Sequence, residues 1–106
     1  MSNWIINGQD SPNYIPNYSA PTVKDISETA ADVIPAGGAG RVASISVTSD
    51  SSIVWVAFGM TVQPGVFWHV KLPPGYNNND FKLSSQTVSM ACETGQTAKV
   101  SIGIAG

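Results

Sequence analysis

Arg41-Val42-Ala43-Ser44-Ile45-Ser46-Val47-Thr48-Ser49-Asp50-Ser51-Ser52-Ile53-Val54-Trp55-Val56-Ala57-Phe58-Gly59 decides the fold. From Arg41 to Thr48, Ala43, Ile45 and Val47 share one face while Ser44, Ser46 and Thr48 share the other. That period of two belongs to a half-buried β-strand. Ser49 to Ser52 is a turn of the kind that Asp and Ser side chains favour. Ile53 to Phe58 then runs β-branched and aromatic without a polar residue, so this strand is buried on both faces or lies at a subunit contact. Gly59 ends it.

Downstream, Gln63-Pro64-Gly65 reads as a Pro-Gly turn. Val66, Trp68, Val70 and Leu72 alternate with Phe67, His69 and Lys71, a strand period over Val66 to Leu72. Pro73-Pro74-Gly75 stops it, and Asn77-Asn78-Asn79-Asp80 reads as a polar loop. Phe81 to Leu83 and Thr87 to Cys92 are two further short strands. Glu93-Thr94-Gly95-Gln96 turns into a last one, where Ala98, Val100, Ile102 and Ile104 alternate with Lys99, Ser101 and Gly103. Upstream, Val23 to Ile26 and Ala30 to Ile34 are strands, the second closed by Pro35. Pro35-Ala36-Gly37-Gly38-Ala39-Gly40 is a flexible loop and not a phosphate loop, since neither a Lys-Ser/Thr pair nor a helix follows. No stretch sustains a helical period. The pattern predicts an all-β chain: one small β-sandwich or jelly-roll-like barrel of about seven to eight antiparallel strands over residues 22–106.

Residues 1–21 differ in kind. They hold three of the seven prolines, four asparagines and a near-repeat, Pro12-Asn13-Tyr14 then Pro16-Asn17-Tyr18. Proline at that density favours extended backbone over helix or central strand. The segment also carries Trp4, Ile5, Ile6, Tyr14, Ile15 and Tyr18, which is too apolar for a solvated linker. It reads as an extended docking arm with Trp4, Ile6, Tyr14, Ile15 and Tyr18 as anchors. The plainer alternative is that it wraps its own domain.

A chain of 106 residues holds one domain. Its charged content is 11%, against roughly 25% in ordinary domains, so polar uncharged residues must cover the surface, as suits a protein working inside an assembly. The five basic residues, Lys24, Arg41, Lys71, Lys82 and Lys99, are scattered and the net charge is −2. That argues against nucleic acid, which needs a basic stripe. The N-terminus lacks the basic start and apolar run of a signal peptide, and Ile53 to Gly59 is too short to span a membrane. The chain reads as made in a cytosol.

Catalytic chemistry finds little purchase. Cys92 is the single cysteine and His69 the single histidine. Cys92 sits in an apolar alternation with Val88 and Met90 and reads as a small buried hydrophobe. One His and one Cys do not make a typical structural zinc site. Asn77 to Asp80 lacks the spacing and bidentate Glu of a calcium loop. Asp25, Glu28 and Asp32 read as solvated edge charges, which also discourage unwanted sheet pairing. The sequence therefore points to no catalytic residue, cofactor or metal. What remains is surface. Trp55, Phe58, Phe67, Trp68, Tyr76 and Phe81 are too many rings for one small core, so Phe58 and Phe67 are expected on a second apolar surface, an oligomer or capsid contact. The alternative is a thin sandwich whose faces are partly covered by loops.

From Arg41 onward the chain resembles small structural proteins of tailed bacteriophages. The resemblance rests on the alternating strand Val42 to Thr48, the Ser49-Asp50 turn, Val56-Ala57-Phe58-Gly59, Pro64-Gly65, Val66 to Leu72, Pro74-Gly75, Lys82-Leu83-Ser84 and the Thr94-Gly95 turn. It implies a virion component on the capsid surface, made in the host cytoplasm. The expected role is a capsid decoration (cement) protein that binds the major capsid protein and self-associates as a dimer or trimer. The other role it implies is a carbohydrate-binding module at a tail or fibre tip, with Trp68 and Tyr76 stacking on sugars.

Overall fold

The computed structural model describes residues 18–106. Eight strands follow one another: β1 Thr22–Ile26, β2 Ala31–Ile34, β3 Val42–Val47, β4 Val54–Phe58, β5 Val70–Leu72, β6 Asn77–Lys82, β7 Val88–Ala91 and β8 Ala98–Ala105. They form two four-stranded antiparallel sheets, sheet A in the order β1-β8-β3-β6 and sheet B in the order β2-β7-β4-β5. First pairs with last, β2 with β7, β3 with β6 and β4 with β5. The chain is thus one long hairpin rolled across two layers, with β3–β8 and β4–β7 contacts closing each sheet. That is the jelly roll, and the all-β expectation holds.

The core lies between the sheets. Ile26, Ile34, Ala43, Ile45, Val47, Val54, Val56, Val88, Met90, Val100 and Ile102 fill it, with Phe58, Val70, Tyr76, Phe81 and Ile104 packed at its margins. These are the inward-facing alternates of each strand, so the period of two translates directly into one buried layer. A second, smaller cluster lies on the outside of sheet B: Trp55, Ala57, Val62 and Ala91, with Ala30 and Phe67 against it. Strand β4 is consequently buried on both faces, as its uninterrupted apolar run requires. The cover comes from residues 59–69, which fold back over their own sheet.

Two local expectations are corrected. The predicted strand Val66 to Leu72 is strand only from Val70, because Gln63 and Phe67 close a turn with Phe67 N–H donating to Gln63 O at 2.8 Å. Gly65 occupies its left-handed corner with φ 79°. Asn77 to Asp80, expected as a loop, is the first part of β6. Backbone pairing with β3 overrides the poor strand propensity of Asn and Asp, and a register shift between Ala43 and Ile45 absorbs the local geometry. At this edge Asn78 Oδ1 accepts from Asp80 N–H at 2.8 Å, as Asx side chains do in turns.

Arg41 clasps one end of the barrel. It is only 9% exposed. Its guanidinium donates to Gly38 O at 2.8 Å, Pro35 O at 3.2 Å and Ser84 O at 3.1 Å, tying the glycine loop to the β6–β7 connection. Gly37 is glycine for that reason: a Cβ there would stand 2.8 Å from the guanidinium carbon.

Candidate docking surface

Of the arm anchors read from the sequence, Tyr18 lies within the described residues; Trp4, Ile6, Tyr14 and Ile15 lie outside them. Residues 18–21 form a strap on the outer face of sheet A. Ser19 N–H donates to Ile104 O at 2.8 Å, and Ile104 N–H donates back to Ser19 Oγ at 3.0 Å. Tyr18 hydroxyl donates to Asn79 O. Since β8 and β6 flank β3 in this sheet, the tyrosine reaches from β8 across β3 to the far edge strand.

The floor beneath the strap is built from small side chains. Gly103 is buried in the middle of β8, and a Cβ on it would meet Ser19 O at 3.1 Å and Tyr18 Cβ at 3.8 Å. A glycine within a strand marks a close approach of another backbone, and here the approaching backbone is the strap. Ser44 lies opposite Gly103 in the register, and Val42, Ser46 and Ser101 complete a shallow, half-buried surface. Gly103 and Ser19 were not singled out in the sequence. The signal for Gly103 was legible, as the one glycine on the outward-facing positions of an alternating strand; Ser19 carried none.

The outer face of sheet B is the opposite in character. Trp55 is 6% exposed beneath the 59–69 loop. Val62 caps it, held by its N–H donating to Ser89 Oγ at 3.1 Å. Trp55 Nε1 is buried without a hydrogen-bond partner among the described residues. Trp68 leans on Trp55 edge to face, ring centroids 4.7 Å apart at 87°, and stays 39% exposed. Lys71, opposite Trp55 in the β4–β5 register, places its ammonium 4.8 Å from the Trp55 centroid and 5.8 Å from that of Trp68.

Phe58 and Phe67, expected together on a second apolar surface, go to different places. Phe67 is half-buried against the outer cluster on sheet B. Phe58 is half-buried at the margin of the main core, 6.2 Å from Phe81. His69 joins them, stacked 5.4 Å from Phe58 and edge-on to Phe67 at 5.6 Å. Its Nδ1 accepts the Phe58 N–H at 3.1 Å, so a neutral imidazole carries its proton on Nε2. Tyr76 is half-buried against the core and its hydroxyl accepts from Asn78 Nδ2 at 3.0 Å.

The acidic residues and the cysteine weighed for chemistry are dispersed over the fold. Cys92 is buried, its thiol 3.8 Å from Ile26 O, and burial pushes its pKa up, away from the reactive thiolate. Asp25 and Asp32 lie on the edge strands β1 and β2, both exposed, and Glu28 accepts from Gly95 N–H at 2.8 Å. A cleft of ≈ 330 Å³ at the β1–β2 end is lined by Asp25, Ser27, Asp50, Ser51 and Lys99. Asp25 pairs with Lys99 at 2.7 Å, and the Asp50 carboxylate accepts from the Thr48 hydroxyl at 2.7 Å.

The fold and surface define a small jelly roll with a strapped N-terminal root and a loop-clad aromatic face. Comparison with protein-family models, with curated proteins and with solved structures finds no match.

Proposed function

We propose that this protein is a non-enzymatic virion structural component, a capsid decoration (cement) protein. It binds the outer surface of an assembled phage head and staples neighbouring major capsid subunits through the arm of residues 1–21, whose last four residues root it on sheet A. The observation that carries the reading is the strap. Because Tyr18 and Ser19 are pinned to sheet A, the chain before them starts from a fixed point on a rigid sheet. Four strands span ~14 Å at the usual inter-strand spacing. A fully extended backbone of seventeen residues would reach ~53 Å, well beyond that sheet. A pinned root also lowers the ordering cost when the arm docks.

The resemblance to small phage structural proteins and a fold shared by viral capsid domains support the same reading, though fold by itself does not assign function. Binding would come from burial of Trp4, Ile6, Tyr14 and Ile15 together with backbone hydrogen bonds along the arm. A dimer or trimer on a capsid symmetry axis would add avidity. The test is co-sedimentation of the full chain and a 1–17 deletion with empty heads. The deletion keeps Tyr18 to Pro21, folds as the parent does and loses binding; retained binding rejects the arm as the staple. Copy number per particle separates this role from the tail- or fibre-tip alternative: a number close to that of the major capsid protein fits decoration, whereas a handful per particle fits a tip.

A further inference from the structure

We propose that Trp68 and Lys71 form a binding subsite for a carboxylated saccharide on the outer face of sheet B. Trp68 offers an exposed indole that is braced at right angles by buried Trp55. A ring held this way loses little freedom when a ligand stacks on it. The negative face of an indole attracts the polarised C–H groups on one side of a pyranose ring. Beside it stands the Lys71 ammonium, within 6 Å of both indole centroids, and no carboxylate among the described residues pairs with it.

The charge decides what can sit there. A purely apolar partner would bury Lys71 without a counter-ion, which is costly. The occupant must therefore bring an apolar face and an anion to neighbouring positions. A uronic-type sugar carries both on one ring, its carboxylate one bond from the C–H face that stacks. The platform is rigid because its support is structural: Trp55 is clamped between Val62, Ala57 and Ala91. The site lies on the opposite sheet from the strap and uses no residue of the arm, so it stands if the capsid-binding reading fails.

The test is a titration of the full chain with a hexameric oligogalacturonate, followed through the indole N–H signals in two-dimensional NMR. The Trp68 signal shifts on addition of the oligouronate. Trp68→Ala abolishes the ligand-induced shift of the neighbouring Trp55 indole N–H, and Lys71→Gln weakens binding about tenfold, or about 1.4 kcal/mol. Lys71 is exposed, so its substitution leaves folding intact and keeps the test decisive should Trp68→Ala fail to fold. The methyl-esterified oligomer has the same ring faces without the charge; it binds the parent no better than the free acid binds Lys71→Gln. Equal binding of ester and acid overturns the proposal, as does an unmoved Trp68 signal at millimolar ligand. A Glu-rich peptide that shifts the same signals as strongly overturns the saccharide assignment in favour of an acidic peptide.

Discussion

The outer faces of the two sheets are covered by different means. On sheet A the residues are small, and a strap of four residues lies over Gly103, held mainly by hydrogen bonds. On sheet B the central residue is a tryptophan, and a long loop buries it with Val62 and Phe67. The first cover is shallow and polar, so it can be moved at small cost. The second is apolar and packed, so it belongs to the stability of the domain. A thin sandwich cannot bury every ring between its layers, and sheet B stores the excess on its outside.

The sharpest way to break the comparison is at Trp55. Trp55→Ala empties the space under the loop and is expected to cost about 3–5 kcal/mol, read as a lower urea midpoint with an unchanged slope. Trp55→Phe should cost far less. It keeps most of the ring and removes an indole N–H buried without a partner, whose desolvation costs about 1–3 kcal/mol. A loss below about 1 kcal/mol for the alanine variant would mean that the loop rests loosely on sheet B, and the contrast with the strap would collapse.

The strand framework was legible because hydrophobic alternation and turn chemistry are local. Val42 to Val47, Val54 to Phe58 and Ala98 to Ala105 follow directly from them. Legibility failed where one pattern served two purposes. Val66 to Leu72 alternates perfectly, yet Val66 sits in a turn, Trp68 leans on Trp55, and Val70 and Leu72 enter the sheet. Periodicity cannot separate a strand from a loop whose side chains are sorted between two apolar clusters. Asn77 to Asp80 failed for the reverse reason, since its strand character comes from the neighbouring β3 backbone and not from its own side chains. For β4 the sequence demanded cover on both faces but could not choose between a subunit and a loop. Tyr18 was read as an anchor for a partner, whereas the structure seats it on its own domain, in a socket of Gly103 and Asn79 O that joins strands far apart in sequence.

Gly103→Val attacks the other cover. A Cβ at this position would stand 3.1 Å from Ser19 O, and a branched side chain adds bulk where only backbone fits. The strap must lift, breaking both Ser19 hydrogen bonds and moving Tyr18 from Asn79. Overpacking within a closed core costs about 1–3 kcal/mol. Here the cover can yield, so the expected loss is at the lower end, about 1 kcal/mol, partly offset by the strand propensity of valine. Hydrogen exchange at the Ile104 amide should accelerate while β3 and β4 amides stay protected. If Ile104 and β4 amides lose protection together, the strap is part of the cooperative domain and the two covers are alike.

The smallest effect is expected at the Asp25–Lys99 pair, on sheet A at the opposite end of β8 from the strap. The partners are 2.7 Å apart but both are exposed, and such pairs contribute little. A hydrogen bond from Lys99 to the Asp25 carboxylate, and its charge, hold the ammonium pKa above the usual lysine range. A raised cation pKa contributes stability that is fully present below the unfolded value, ~10.4, and is lost as pH rises through the folded one. The midpoint difference between the parent and Lys99→Gln should therefore be small and flat from neutral pH to about pH 10, then vanish at higher pH and shrink with salt. A difference that grows on alkalinisation contradicts this account. One as large as that of Gly103→Val would mean that charge across β1 and β8 contributes as much to the outer face of sheet A as the fit of the strap over its glycine.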